Sequence, residues 1–147
     1  MHILFAIARV LLVLIFVLSG AMKLLDIQGT ADQIQPIVAI PSMLQEFVVE
    51  VETFTGQKWP QLLAILAGII EVVAGLLIAF NIGTRGAAAV LALFTLVTTF
   101  YFHAFWSMSG DLMQTNMIHA LKNLSIIGGL LVMVVLGSWR PLRPSEI

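Results

Sequence analysis

The sequence predicts an all-α protein, a transmembrane four-helix bundle with a short amphipathic helix in its first extramembrane loop. Of the 147 residues, 60% are hydrophobic and only 10% are charged, whereas soluble proteins carry roughly 25% charged residues. The apolar residues are concentrated in four long segments, and only short polar stretches separate the last three. We therefore expect residues 1–147 to form a single integral membrane domain.

Each of the four apolar segments is long enough to cross a bilayer, which takes about 20 residues. The predicted spans are about 3–25, 59–80, 86–106 and 116–139. The sequence "NIGTRG" (81–86) makes the second connection very short, so the second and third spans should be antiparallel neighbours. No basic residues precede the first apolar run, which disfavours a cleaved signal peptide.

Charge differs between the two sides of the predicted bundle. The first loop is acidic, and Lys58 is its only basic residue. Its acidic residues are Asp26, Asp32, Glu46, Glu50 and Glu52. Basic residues occur in the second connection, at Arg85, and in the tail, at Arg140 and Arg143. Because Lys and Arg are enriched in cytoplasmic loops, we expect a multi-pass protein of the bacterial inner membrane with both termini in the cytoplasm.

The first loop contains a periodic segment, "PSMLQEFVVEVETFTG" (41–56). Its apolar residues recur at helical spacing, and Pro41 and Ser42 form a suitable helix start. These apolar residues are Leu44, Phe47, Val48, Val51 and Phe54. We predict an amphipathic helix over about 41–55. It is acidic, so it should lie against the bundle as a lid instead of binding anionic lipid.

Two opposite charges occur inside the predicted spans. Glu71 is about eleven residues into the second span, and Arg9 is about six residues from the start of the first. Counting 1.5 Å per residue from each end, their depths differ by about one helical turn. A charge within the bilayer needs a partner, so we predict an intramembrane Arg9–Glu71 ion pair. The pair could fix the packing of the two helices, and the small residues Gly68 and Gly75 favour this role because they allow close helix approach. Alternatively, the pair could take part in the function of the protein.

Polar residues also gather near the acidic-loop end of three spans. In "HALKNLSIIGG" (119–129), His119, Lys122 and Asn123 share one helical face. Lys23 and His103 lie near the same end of the first and third spans. These residues form a candidate ligand or quinone pocket: His103, His119, Lys122, Asn123 and Lys23. The lysines could instead extend to the lipid headgroups.

The two histidines, His103 and His119, are also at similar predicted depth, as in a bis-histidine haem site. They lie close to a short loop, however, and ordinary hydrogen-bonding histidines are more common. Two histidines without further carboxylate ligands are an incomplete set for a metal. The sequence therefore predicts no metal site.

Several motifs together resemble the DoxX family of small four-helix membrane proteins. They are "ARVLLVLIFVLSGAMKLLD" (8–26), "GIIEVVAGLLIAFNIGTRGAAAVLALF" (68–94), "FHAFW" (102–106) and "MIHALKNLSIIGGLLVM" (117–133). The resemblance covers nearly the whole chain except the acidic loop, which looks longer than is usual. By this match, the family's recurrent polar positions are Arg9, Lys23, Glu71, Arg85, His103, Lys122 and Asn123.

The resemblance implies an accessory or anchoring subunit of a quinone-linked redox complex in the inner membrane, because the family's namesake is a membrane subunit of a thiosulfate:quinone oxidoreductase. The alternative is a membrane protein that binds a quinone, another small molecule or an anion, and acts on its own as an oxidoreductase or carrier. Catalytic residues are not assigned. Expected partners are membrane lipids and either a larger membrane complex or further copies of the chain.

Composition narrows the chemistry. The chain contains no cysteine, which excludes thiolate nucleophiles, cysteine-ligated clusters and disulfides. It has no basic stripe that would bind nucleic acid and no glycine-rich phosphate loop. We therefore expect no permanently bound cofactor. A quinone is the candidate for a cofactor that binds reversibly.

Overall fold

The computed structural model describes residues 2–137, which are helical with short connections and contain no strand. Four helices in this range are long and apolar enough to cross a membrane. They are α1 (His2–Leu25), α4 (Trp59–Ala79), α5 (Thr84–Phe102) and α6 (Gly110–Leu136), and two shorter helices, α2 (Ile27–Ile34) and α3 (Gln45–Thr55), join α1 to α4. The predicted all-α architecture with four spanning helices is confirmed.

The fourth spanning helix begins earlier than the sequence predicted. It starts at Gly110, six residues before the expected 116, because its first two turns carry polar residues that hydropathy does not assign to the membrane. Helix α5 ends at Phe102, and a short 3₁₀ turn over Phe105–Ser107 leads into α6. The predicted end of the fourth span at Trp139, and the tail residues Arg140 and Arg143, lie outside the described residues.

The spanning helices pack as two antiparallel pairs, α1 with α4 and α5 with α6, and contacts between α4 and α5 join the pairs. The α1–α4 pair is close because glycines face each other. A Cβ atom added at Gly20 would lie 2.7 Å from the Gly68 carbonyl oxygen and 2.8 Å from Glu71 Cβ. Small residues allow such close backbone approach in membranes, and this contact sets the register of α1 against α4.

Arg85 joins the start of α5 to the last turn of α6. Its Nε donates a hydrogen bond to the Val134 carbonyl oxygen at 2.8 Å, and its Nη2 donates to that of Val135 at 3.3 Å. These carbonyls belong to the last turn of α6, where a cation is also favoured by the helix dipole. The tight turn before α5 places Asn81 and Gly83 in the left-handed region, with φ of 61° and 56°.

The predicted loop helix is present as α3, preceded by a 3₁₀ turn over Ser42–Leu44. It does not cover the bundle, because only Val48 is buried while Phe47 and Phe54 remain exposed. The element that packs against α1 and α4 is instead α2, which the sequence analysis missed. Its buried residues are Ala31 and Ile34.

Helix α2 is held at its start and on its outer face. The Asp26 side chain caps it by accepting a hydrogen bond from the Gly29 N–H at 2.9 Å. Gln61 on α4 donates from Nε2 to Gln28 Oε1 at 2.8 Å. These contacts fix α2 across the first turns of α4.

Candidate functional site

Glu71 is buried at 6% exposure in the middle of α4, and its partner is Lys23 on α1. Lys23 Nζ lies 2.8 Å from Glu71 Oε2 and also donates a hydrogen bond to Ser19 Oγ. The prediction that Arg9 pairs with Glu71 is therefore wrong. An intramembrane ion pair exists at Glu71, but Lys23 supplies the positive charge.

The register of α1 against α4 explains this difference. Gly20 lies opposite Glu71, and Arg9 is eleven residues earlier, so it is about 16 Å away along the helix axis at 1.5 Å per residue. The depth estimate had aligned the ends of the two helices, whereas α4 begins well beyond the end of α1. The Arg9 guanidinium lies 5.5 Å from the centroid of the Phe5 ring, and its buried Nε has no hydrogen-bond partner within residues 2–137.

A cavity of about 340 Å³ lies between the two helix pairs, and Glu71 is part of its wall. Five helices line it: α1, α2, α4, α5 and α6. The lining side chains are Ile15, Phe16, Ser19, Lys23, Thr30, Gln33, Ile34, Ala67, Glu71, Phe94, Thr95, Thr98, Phe102, His103, Asn123 and Ile126. The cavity therefore combines apolar and aromatic walls with a few polar groups, as small-molecule sites usually do.

Threonines and an asparagine organise the wall formed by α5 and α6. Asn123 Nδ2 donates a hydrogen bond to Thr99 Oγ1 at 2.9 Å, and this hydroxyl donates to the Thr95 carbonyl oxygen at 2.6 Å. His103 Nδ1 is 2.9 Å from Asn116 Oδ1. These bonds orient Asn123 and His103 where the two helices meet beside the cavity.

The other two predicted pocket residues, His119 and Lys122, do not line the cavity. The His119 ring stacks on the ring of His103, with centroids 5.1 Å apart and an interplanar angle of 27°. Lys122 is exposed, and its Nζ lies 3.5 Å from His119 Nδ1. Stacked rings do not point their nitrogens at a common iron, so this arrangement differs from bis-histidine haem ligation.

Of the predicted pocket residues, the structure brings Lys23, His103 and Asn123 to one cavity, whereas His119 and Lys122 are not among its lining residues. Glu71 also lines the cavity, as do Thr30 and Gln33 of α2, and none of these three residues was in the predicted pocket. The signal for α2 was present, since Ile27, Ala31 and Ile34 recur at helical spacing after Asp26.

The cavity has an electrostatic pattern that limits its chemistry. The carboxylate of Glu71 neutralises Lys23 at 2.8 Å, so this wall offers an ammonium donor without a net positive charge. The opposite wall offers the imidazole of His103 and the amide of Asn123. The arrangement suits a neutral, partly aromatic molecule with hydrogen-bond acceptors at its edges.

Comparison with known proteins identifies the family. The DoxX family model matches residues 4–104, which cover α1 to α5. The chain belongs to the DoxX family. The cavity residues contributed by α1, α2, α4 and α5 lie within the matched part of this DoxX protein, and those contributed by α6 lie beyond it.

Two curated relatives come from Escherichia coli strain K12. The chain is 33% identical to inner membrane protein YphA over 92% of this chain and 84% of that protein. It is 28% identical to inner membrane protein YqjF over 89% of this chain and 82% of that protein. No solved structure matches the chain. Together with its four apolar helices, these relatives identify this DoxX protein as a multi-pass inner-membrane protein.

Proposed function

We propose that the protein binds a quinone headgroup in the cavity between its two helix pairs and serves as a membrane subunit of a quinone-linked redox system. The observation that carries this proposal is the placement of Lys23 with Glu71 on one wall of the cavity and His103 with Asn123 on the other. The cavity, at about 340 Å³, is within the volume range of small-molecule sites.

The residues present fit a quinone headgroup. Phe16, Phe94 and Phe102 provide aromatic surface for a flat ring. The ammonium of Lys23 and the amide of Asn123 can donate hydrogen bonds to carbonyl oxygens. Their positions on different helix pairs would orient a ring across the cavity.

A bound quinone supplies two-electron redox chemistry, and in this proposal a partner redox protein provides the electrons. The chain's own residues would handle the two protons that accompany those electrons. His103 and the carboxyl of Glu71 are the proton-exchanging groups that line the cavity. Lys23 would stabilise negative charge as it develops on a carbonyl oxygen.

The test uses purified protein in lipid nanodiscs titrated with a short-chain benzoquinone analogue. We expect saturable binding that Asn123→Leu weakens about tenfold, since a lost hydrogen bond of this kind is worth about 1 kcal/mol or more. Ser125→Ala is the control. Ser125 is exposed on the same helix, and its Oγ donates a hydrogen bond to the Leu121 carbonyl oxygen of its own helix. No saturable binding, or equal loss in both variants, would reject the proposal.

A second function, anchoring a larger complex without turnover, is supported by α3. This helix exposes Phe47 and Phe54 beside the acidic residues Glu46 and Glu50, a combination suited to contact with another protein. Purification in mild detergent, with and without Phe54→Ser and Phe47→Ser, distinguishes the two functions. A co-purifying partner that the double variant loses, without quinone binding, would favour anchoring.

A further inference from the structure

The cavity is lined in part by α1 and α6, one helix from each pair, and the space between these two helices is the candidate opening of the cavity towards lipid. These two helices contact each other much less than each contacts its own partner. One place where they meet is Leu12, because a Cβ atom added at Gly129 would lie 3.0 Å from Leu12 Cδ1. Towards α2, residues of both helices line the cavity instead of packing together, among them Ser19 and Asn123.

Ile15 lies at the edge of this opening. It lines the cavity, yet 42% of its surface is exposed. On a helix of 3.6 residues per turn, Ile15 lies between the lipid-facing residue Leu18 and the α6-facing residue Leu12. An apolar side chain that belongs to both the cavity wall and the lipid face indicates that the two surfaces are continuous there.

We infer that the ligand enters the cavity sideways from the bilayer between α1 and α6, and that it is a quinone with a long isoprenoid tail, which leaves the cavity past Ile15. This inference rests on the proposed quinone binding and adds the substrate class and the route. An apolar tail leaving at this point stays in hydrocarbon, whereas a tail directed past α2 would meet water and the polar residues Thr30 and Gln33.

The end of the opening nearest α2 is polar, and it would lie beside the headgroup of such a ligand. Lys122 is two helical turns before Gly129 and therefore shares its α1-facing side. Lys122 is exposed and lies beside His119. The opening is thus polar at its α2 end and apolar from Ile15 to Leu12, which matches the polarity of a prenylated quinone.

The test compares a tail-less benzoquinone with the same headgroup carrying a long isoprenoid tail, both titrated into protein in nanodiscs. Because Ile15 also lines the cavity, we expect Ile15→Trp to affect both quinones, and to weaken binding of the long-tailed quinone about tenfold more than binding of the tail-less quinone. Leu14→Trp is the matched control. Leu14 is 46% exposed but does not line the cavity.

Equal effects of Ile15→Trp on both quinones would overturn the route while leaving quinone binding intact. Failure of both quinones to bind the unaltered protein would reject the proposed function and this inference together. A second measurement does not depend on folding of a variant. A photoreactive group on the tail should label residues near Ile15 and Ile126 in the unaltered protein, and labelling confined to the α4–α5 side would overturn the inference.

Discussion

Lys23 Nζ lies 2.8 Å from Glu71 Oε2, in an ion pair that joins α1 to α4 and forms part of the cavity wall. Glu71 is the more buried partner, with a side chain 7% exposed against 26% for Lys23. Lys23 is the cation paired with this carboxylate in the described part of the chain, so losing it should affect the stability of the protein as well as ligand binding.

Removing the cation should destabilise the protein. Lys23→Met leaves a buried, unpaired carboxylate, which costs about 3 kcal/mol when it remains charged. The double variant Lys23→Met/Glu71→Gln should recover most of this loss because no buried charge remains. Thermal unfolding in detergent measures both, with exposed Lys122→Met as the control. A single variant as stable as the control would contradict the importance of the pair.

The close contact between α1 and α4 should not tolerate a methyl group. Gly20→Ala places a Cβ atom 2.7 Å from the Gly68 carbonyl oxygen, so the helices must separate, at a cost of about 1–3 kcal/mol. Gly128→Ala is the matched control, because no atom of the described residues lies within 4 Å of its added Cβ. The unfolding midpoint should fall for Gly20→Ala only. Equal midpoints would show that the helices can shift without cost.

The cap at the start of α2 should determine how firmly the α2 residues that line the cavity are held. Asp26→Ala removes the cap of α2, at a cost of about 1 kcal/mol, and should loosen Gln33, which lines the cavity. Asp26→Asn keeps a good capping residue and serves as the control. Because the chain has no native cysteine, Gln33→Cys can be labelled selectively. Labelling should be faster with Asp26→Ala, and equal rates in both backgrounds would argue against the cap.

The junction of α3 and α4 should depend on pH. The Trp59 backbone N–H donates to Glu52 Oε1 at 2.7 Å, and this bond, helped by Lys58, lowers the pKa of Glu52 from 4.5. A lowered folded-state pKa means that the stabilisation is present above pH 4.5 and is lost as the pH falls through the folded value. As the pH rises from the folded-state pKa of Glu52 to 4.5, the Trp59 amide should therefore become better protected from hydrogen exchange. This change is measured after correction for the intrinsic pH dependence of the exchange rate.

Glu52→Gln should remove that pH dependence, whereas Glu50→Gln, an exposed position on the same helix, should keep it. An unchanged pH profile in Glu52→Gln would show that the Trp59 hydrogen bond does not control the junction.

The features of the fold that depend on local pattern could be predicted from the amino-acid sequence. The four spans and α3 followed from hydropathy and helical periodicity, which a single segment carries. Lys23, His103 and Asn123 line one cavity, and the sequence indicated their proximity because each lies near the same end of its helix. Short α2 was missed because eight residues with Gly29 among them give a weak periodic signal.

The partner of Glu71 could not be predicted in the same way. It depends on the register between α1 and α4, which the contact of Gly20 with Gly68 sets. That contact joins residues 48 positions apart in sequence, and hydropathy carries no information about it. Counting from helix ends therefore placed Arg9 too close to Glu71.

The division into two helix pairs has a consequence for finding the physiological ligand. A molecule in the cavity touches both pairs, whereas the protein itself joins them chiefly through α4 and α5. Such a molecule acts as an additional tie between the pairs, and at a hundred times its Kd it would raise the unfolding free energy by about 2.7 kcal/mol. Heat resistance of the purified protein can thus rank candidate compounds before any reaction is known.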